Sequence, residues 1–294
     1  MKLTPLNPHF GVAVEGLPLG DVTQTHLYPE LRALFEEHSA LLFRGQALSD
    51  QQHMALARLF GPIEDRKADE RKAGETFEIP KVSNVRTDGS TTDEMEEHTL
   101  HLKANFLWHC DSTFMPAPAL TNLLVARVVT ETGGHTELAS TRAGWAQMPE
   151  ALKARIRGRG VWHAYRHSRG KISPELATRA MFNKWPDQHW NAVWTNPANG
   201  REALYLASHS YKVDGYDEAE SQALIDELIG FCTQPEYVYS HKWQVGDVLI
   251  WDQRAALHRG TPWPYDRPRT LSSICISARP VDGLDALGRI PEPV

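Results

Sequence analysis

The chain has few cysteines, and none in an arrangement that chemistry commonly uses. Cys110, Cys232 and Cys275 are the only three in 294 residues; they are widely spaced and form no Cys-x-x-Cys pair. This argues against a disulfide framework or a thiolate zinc site, and it fits a reducing compartment. Apolar runs long enough to span a bilayer are missing. The stretch from Met1 to Gly20 lacks a continuous apolar segment, so it does not read as a secretory signal, and a cytoplasmic location is expected. Positive charge is not in excess: 31 Lys and Arg against 37 Asp and Glu leave a net charge of -6. A mildly acidic chain has no broad pull on nucleic acid or anionic membrane, so neither is an expected partner. The local basic stretch from Arg155 to Arg159 reads as a solvated helix end. No glycine-rich phosphate loop precedes a helix, and no Gly-x-Ser-x-Gly nucleophile elbow occurs. Internal repeats and low-complexity tracts are also absent.

What is present is the composition of a globular protein, with 41% hydrophobic and 23% charged residues. The length suffices for a large core, and residues 1–294 read as one domain. Gly11 to Val14 reads as a short strand. Thr25 to His38 has helical spacing, with Leu27, Leu31, Leu34 and Phe35 on one face. Ala40 to Phe43 is a short buried strand. Ser49 opens a second helix as N-cap, with Gln52 completing a capping box, and Gly61-Pro62 ends it. Residues 65–103 are polar and charged apart from a strand over Lys81 to Val85, and they read as a mobile active-site loop.

Beyond Leu107 the pattern is of short strands: Trp108 to Thr113, Leu120 to Val129, Gly134 to Ala139, Arg159 to Tyr165, Ala203 to Ala207, Val248 to Trp251 and Thr270 to Ser277. Helices over Thr141 to Arg157 and Glu218 to Cys232 interrupt them. Many short strands with a few helices, and no regular βαβ alternation, predict a mainly β protein with flanking helices and a jelly-roll or sandwich core.

Three features carry chemistry. His109 and Asp111, in Trp108-His109-Cys110-Asp111-Ser112, share a face if the segment is a strand, with Cys110 pointing away. Alone this triplet is weak in a chain with 14 histidines. Second, the apolar run Val248 to Trp251 leads through a turn to His258, a third ligand from a distant strand. Two His and one carboxylate leave open positions that suit iron(II), although the same set can hold catalytic zinc, so a zinc hydrolase is the alternative. Third, Arg269 opens the next predicted strand, beside that of His258. A guanidinium near a metal suits a dicarboxylate, one end on the metal and the other on the arginine.

The combination resembles the taurine and aryloxyacetate dioxygenase family of iron(II)/2-oxoglutarate oxygenases. The resemblance runs through Leu41-Leu42-Phe43-Arg44-Gly45-Gln46, Phe60-Gly61-Pro62-Ile63-Glu64 and Val82-Ser83-Asn84-Val85. It continues through Trp108 to Phe114, Gly133-Gly134-His135-Thr136-Glu137, and Trp251-Asp252-Gln253-Arg254 with Leu257-His258-Arg259 and Arg269. It implies a double-stranded β-helix core, with His109, Asp111 and His258 as iron ligands. It also implies that Arg269 and Thr136 hold the distal carboxylate of 2-oxoglutarate, and that Asn105 touches substrate. The family chemistry uses O2 to decarboxylate 2-oxoglutarate to succinate and CO2 and hydroxylates a C–H bond, which next to an ether oxygen or other heteroatom cleaves the substrate. Relatives suggest a homo-oligomer, a dimer or larger.

One position departs from the family. Its members carry a second arginine four residues after the first, where this chain has Ser273. A serine forms no charged bidentate pair, so an anionic substrate is held elsewhere or the substrate is not a simple small anion. Lys81, Arg86 and Lys103 are substitutes near the expected mouth; a carrier-bound substrate docking on residues 65–103 is a further alternative. His163, Tyr165 and His167 alternate as on one strand face and read as a polar network or pocket wall, with a second metal site the alternative. His98 and His101 fall in the polar loop. Trp108 and Trp251 read as packing residues.

Overall fold

The structure is a computed structural model that describes residues 1–93, 96, 99 and 102–287. In chain order the elements are β1 (Lys2–Pro5), β2 (Val12–Glu15), α1 (Tyr28–His38), β3 (Ala40–Phe43), α2 (Asp50–Phe60), β4 (Lys81–Ser83), β5 (Ala119–Val128) and β6 (Thr136–Ser140). Then follow α3 (Thr141–Gln147), α4 (Glu150–Ile156), β7 (Gly160–His163), α5 (Tyr165–Gly170), α6 (Pro174–Ala177), β8 (Gln188–Asn191), β9 (Val193–Thr195), β10 (Glu202–Leu204) and β11 (Ser210–Val213). The chain continues through α7 (Glu218–Cys232), β12 (Val238–His241), β13 (Val248–Asp252), β14 (Ala256–Gly260) and β15 (Thr270–Ser277).

The architecture is mainly β with helices on the flanks. A seven-stranded sheet has the order β1-β2-β3-β13-β5-β15-β4, antiparallel except where β2 meets β3. A three-stranded sheet, β12-β6-β14, packs against one face of it. Strict alternation sorts the large sheet's residues. Leu41, Leu123, Val248, Ile250 and Ile274 point outward and pack against Leu31 and Phe35 of α1 and Leu56 and Phe60 of α2. Leu42, Leu124, Leu249, Trp251 and Leu271 point inward and meet Leu138 and Ala256 of the small sheet. Each of these fully buried aliphatic or aromatic side chains contributes roughly 1.5–3 kcal/mol. A third cluster packs α7 against β7 and β11 through Leu224, Leu228, Val161 and Val213. Among the described residues no helix is long and apolar enough to cross a membrane.

Several expected elements form as read. The capping box of α2 is complete, with Gln52 N donating to Ser49 Oγ at 3.1 Å and Ser49 N donating to Gln52 Oε1 at 3.0 Å. The elements α7 and β15 have the expected limits. Others differ for local reasons. The helix expected from Thr25 starts at Tyr28, because Thr23 to Leu27 is a bridged turn and Pro29 sits at the helix start. The helix expected over Thr141 to Arg157 is two, broken at Met148-Pro149, since Pro149 cannot donate into a continuing helix. The strand expected over Arg159 to Tyr165 ends at His163, and α5 begins at Tyr165. His163, Tyr165 and His167 therefore do not share a strand face.

Candidate active site

The stretch from Trp108 to Thr113 is not a strand. Only His109 pairs, through an isolated antiparallel bridge to His258 on β14. The chain then turns over residues 111–115, with Ser112 at φ 57°. The expected geometry is reached by this other route. Cys110 points away into a cluster with Ala139, Ala207 and Leu257, while His109, Asp111 and His258 each turn a ligand atom inward, all within 4.8 Å of one another.

Each of the three is oriented by its surroundings. His109 Nδ1 donates to the carbonyl of Leu107 at 2.7 Å, which leaves the Nε2 lone pair facing Asp111. His258 Nε2 lies 3.6 Å from Asp111 Oδ2, and its ring rests 4.7 Å from that of Trp251. Asp111 Oδ2 accepts from Gln253 Nε2 at 2.7 Å and Asn122 Nδ2 at 3.0 Å, and the Asp111 amide donates to Gln253 Oε1 at 3.0 Å. Gln253 is fixed in turn by its neighbours, because Arg254 is buried between Asp252 and Glu36 and locks the end of β13 to α1. Burial alone pushes the Asp111 carboxyl up, while the Asn122 hydrogen bond and the charge of Arg66 pull it down. Burial pushes His109 down, and His258 down to about 3. Two neutral imidazole nitrogens and one carboxylate oxygen therefore converge, a donor set that fits a divalent cation with further positions open.

The cluster opens into a cavity of about 770 Å³. Asn105, Thr136, Arg269 and Ser273 all line it. Arg269 is 4% exposed, and no carboxylate among the described residues pairs with it. Its Nε and Nη2 donate to the carbonyl of Gly134 at 3.1 Å and 2.8 Å, and it stacks 4.7 Å from the Trp263 ring. Gly134 allows this approach: it has φ 63°, and a Cβ there would lie 2.8 Å from Arg269 Nε. Burial lowers the Arg269 pKa to about 10. The expectation that its strand lies beside that of His258 is corrected: β15 belongs to the large sheet and β14 to the small one, and the two residues line one cavity from different sheets. Thr136 pairs with Gly260 on β14, which puts it on the same face as His258. Its Oγ1 accepts from Trp243 Nε1 at 3.0 Å. Asn105 sits in the 3-10 turn Ala104–Phe106. Ser273 Oγ donates to Asn122 Oδ1 at 3.1 Å, so it stands behind the Asp111 carboxylate.

Among residues 65–103, Asp65, Arg66, Arg71, Phe77 and Lys81 line the cavity. Of the proposed substitutes for the missing arginine, Lys81 lies on the cavity wall, Arg86 is paired with Glu96, and Lys103 is not part of the lining. His98 and His101 lie outside the described residues. Among the described residues His163 and His167 converge on no metal cluster; His163 is buried beside Ser210 and His167 lies against Tyr211. Trp251 is fully buried, as expected of a packing residue, and also touches His258; Trp108 packs beside the Cys110 cluster under Arg259. Sequence reasoning missed Asn122 and Gln253 as partners of Asp111, and Arg66 and Arg169 as cavity residues. Gln253 lies in a family-like segment, Arg66 in the polar loop and Asn122 in an expected strand, whereas Arg169 lies in none of them.

Residues 2–275 match the model of the taurine catabolism dioxygenase TauD, TfdA family. The chain belongs to this family. It is a 2-oxoglutarate-dependent non-haem iron dioxygenase, an oxidoreductase whose cofactor is iron(II) and whose co-substrates are 2-oxoglutarate and O2. The dioxygenase is 35% identical over 270 residues to the alpha-ketoglutarate-dependent 2,4-dichlorophenoxyacetate dioxygenase of Cupriavidus pinatubonensis, covering 91% of this chain and 94% of that protein. It is 34% identical to the (S)-phenoxypropionate/alpha-ketoglutarate-dioxygenase of Sphingobium herbicidovorans, covering 92% of each. Its fold matches the crystal structure of AAD-2 in complex with Mn(II) and N-oxalylglycine, with a TM-score of 0.86 and 32% identity, covering 94% of this chain and 96% of that one.

Proposed function

We propose that this dioxygenase hydroxylates a small organic molecule, with His109, Asp111 and His258 holding iron(II), and Arg269 and Thr136 holding the distal carboxylate of 2-oxoglutarate. Hydroxylation beside an ether oxygen or other heteroatom then cleaves the product. The observation that carries the reading is Arg269: a buried guanidinium with no acidic partner among the described residues, lining the same cavity as the metal cluster. A zinc hydrolase built on the same ligands gives that residue no work.

The residues divide the labour. Iron(II) bound at the triad supplies the activation of O2 that the oxidation of 2-oxoglutarate and substrate needs. Asp111, held anionic by Gln253 and Asn122, gives the cation its one negative ligand. Arg269 and Thr136 fix the far end of the diacid, so its keto-acid end reaches the triad. The aromatic and aliphatic lining excludes water from the reacting centre. Asn105 and Ser273 contact or flank the substrate. The two facing sheets form the double-stranded β-helix, or jelly-roll, of a single domain over residues 1–294. The described part of residues 65–103 forms its cover. The enzyme works in the cytoplasm as a homo-oligomer, a dimer or larger.

The test is turnover. Protein supplied with iron(II), 2-oxoglutarate and a panel of carboxylates, sulfonates and amino-acid derivatives should release succinate with at least one of them, and 2-oxoglutarate should raise the melting temperature. Succinate at background with every compound, together with no thermal protection, defeats the reading.

A further inference from the structure

Two guanidinium groups lie buried in the cavity wall without an acidic partner among the described residues. Arg269 is one, and it faces the co-substrate. Arg169 on α5 is the other, and it is 6% exposed. Its Nη1 donates to Ser168 Oγ at 2.9 Å and its Nη2 to Tyr165 Oη at 3.3 Å, while its Nε is buried with no partner. The guanidinium stacks 4.5 Å from the Tyr165 ring and 5.4 Å from the Phe182 ring, which fixes its plane.

Its neighbour Arg66 shows the contrast. Arg66 lines the same cavity, but it is neutralised by Glu64 and its Nη2 donates to Ser112 Oγ. Burial pushes the Arg169 pKa down; Tyr165 and the charge of Asp111 oppose this, but no carboxylate among the described residues forms an ion pair with it. A buried cation without a counter-charge is costly to the fold, so its retention points to a ligand that brings the charge. The surroundings define that ligand's body. Phe114 and Tyr165 stack at 3.8 Å and 3°, Trp185 lies 5.6 Å from Phe114, and Leu176 and Phe182 complete an apolar wall. The His209 ring links this wall to the metal cluster, 5.9 Å from Tyr165 and 6.4 Å from His109. Ser273, where the family's substrate arginine was expected, carries no charge and already donates to Asn122.

We propose that Arg169 anchors the anionic group of the prime substrate, whose flat apolar body lies against Phe114, Phe182 and Trp185. This rests on the dioxygenase reading above. The chain then holds two anions from opposite elements, the co-substrate on Arg269 beside β15 and the prime substrate on α5.

The experiment is anaerobic calorimetry on the protein loaded with iron(II) and 2-oxoglutarate. The probes are phenylacetate and phenylmethanesulfonate, with neutral phenylacetamide as control. Wild type should bind at least one anion and prefer it to the amide. Arg169→Met should weaken the anions by about ten- to a hundred-fold, the worth of a charged hydrogen bond, with 2-oxoglutarate affinity unchanged and the melting temperature equal to or above that of wild type. Arg169→Lys should keep the preference for anion over amide with intermediate affinity, and it serves as the folded variant if Arg169→Met does not fold. A wild type that binds neither anion or does not discriminate overturns the assignment. So does an Arg169→Met that keeps wild-type anion affinity, or an Arg169→Lys that binds phenylacetate like wild type. Absence of 2-oxoglutarate binding in wild type strikes instead at the dioxygenase reading, and the proposal falls with it.

Discussion

His109 and His258 exchange both of their main-chain hydrogen bonds, His109 N to His258 O at 3.0 Å and His258 N to His109 O at 2.8 Å. This reciprocal bridge holds the two imidazoles with ring centroids 4.0 Å apart, although the residues lie far apart in the chain. The candidate metal site is therefore built on a β-pairing, and only its carboxylate comes from a turn.

That turn carries the site's one negative charge. Asp111→Ala should abolish metal binding while leaving the β-sheet signal intact, because both imidazoles stay held by the bridge and the sheets do not depend on the carboxylate. Metal analysis of the anaerobically loaded variant, alongside its circular dichroism, is the check. Stoichiometric iron in the variant removes Asp111 from the ligand set.

Gln253 contacts Asp111 twice, through its amide nitrogen and its carbonyl oxygen. Gln253→Ala leaves all three candidate ligands in place but frees the carboxylate to rotate. Iron affinity should fall about ten- to a hundred-fold, as for other groups that orient a metal ligand. Competition with a chelator measures it, and wild-type affinity shows that Asn122 alone is enough.

Arg269→Ala should weaken 2-oxoglutarate by roughly ten- to a thousand-fold without changing iron affinity. Gly134→Ala should do the same more mildly, since the added Cβ would sit 2.8 Å from Arg269 Nε at a position with φ 63°. Anaerobic titration of the iron-loaded variants with 2-oxoglutarate reads both. Unchanged co-substrate affinity in Arg269→Ala shows the residue to be misassigned.

Acid stability has a source away from the site. His53 on α2 is fully buried, donates through Nε2 to the carbonyl of Leu123 at 3.0 Å, and is pushed down to about 4 by burial. Unfolded, it titrates near 6.5. Above about 6.5 it is neutral in both states. Between about 6.5 and 4 the unfolded chain takes up a proton that the folded chain refuses, so stability falls as pH falls through that window. His53→Gln should flatten this slope in urea midpoints of the metal-free protein between about pH 7.5 and 5. A variant with the wild-type slope places the acid sensitivity in other histidines.

The chain by itself determined the elements whose signals are local. The Ser49–Gln52 box and the apolar spacing of α7 are self-contained, and the near-continuous apolar runs of β5 and β13 suit strands buried on both faces. The triplet around His109 was legible for its residue types, but not for its conformation. A strand and a bridge followed by a turn both put residues 109 and 111 on one side, and the sequence does not distinguish them. The break at Pro149 and the switch from β7 to α5 at Tyr165 were misread because apolar spacing ran on through them.

Tertiary structure alone decided the rest, because it depends on contacts between residues distant in the chain. Asn122 reaches Asp111 from β5 and Gln253 from the turn after β13, and Arg269, just before β15, lines the same cavity as His258 on the other sheet. Arg169 gave no sign in the sequence, where it is one more basic residue on a short polar helix. Its burial without a counter-charge emerges only when α5 closes over the cavity, since the cost of an unpaired charge is set by what surrounds it.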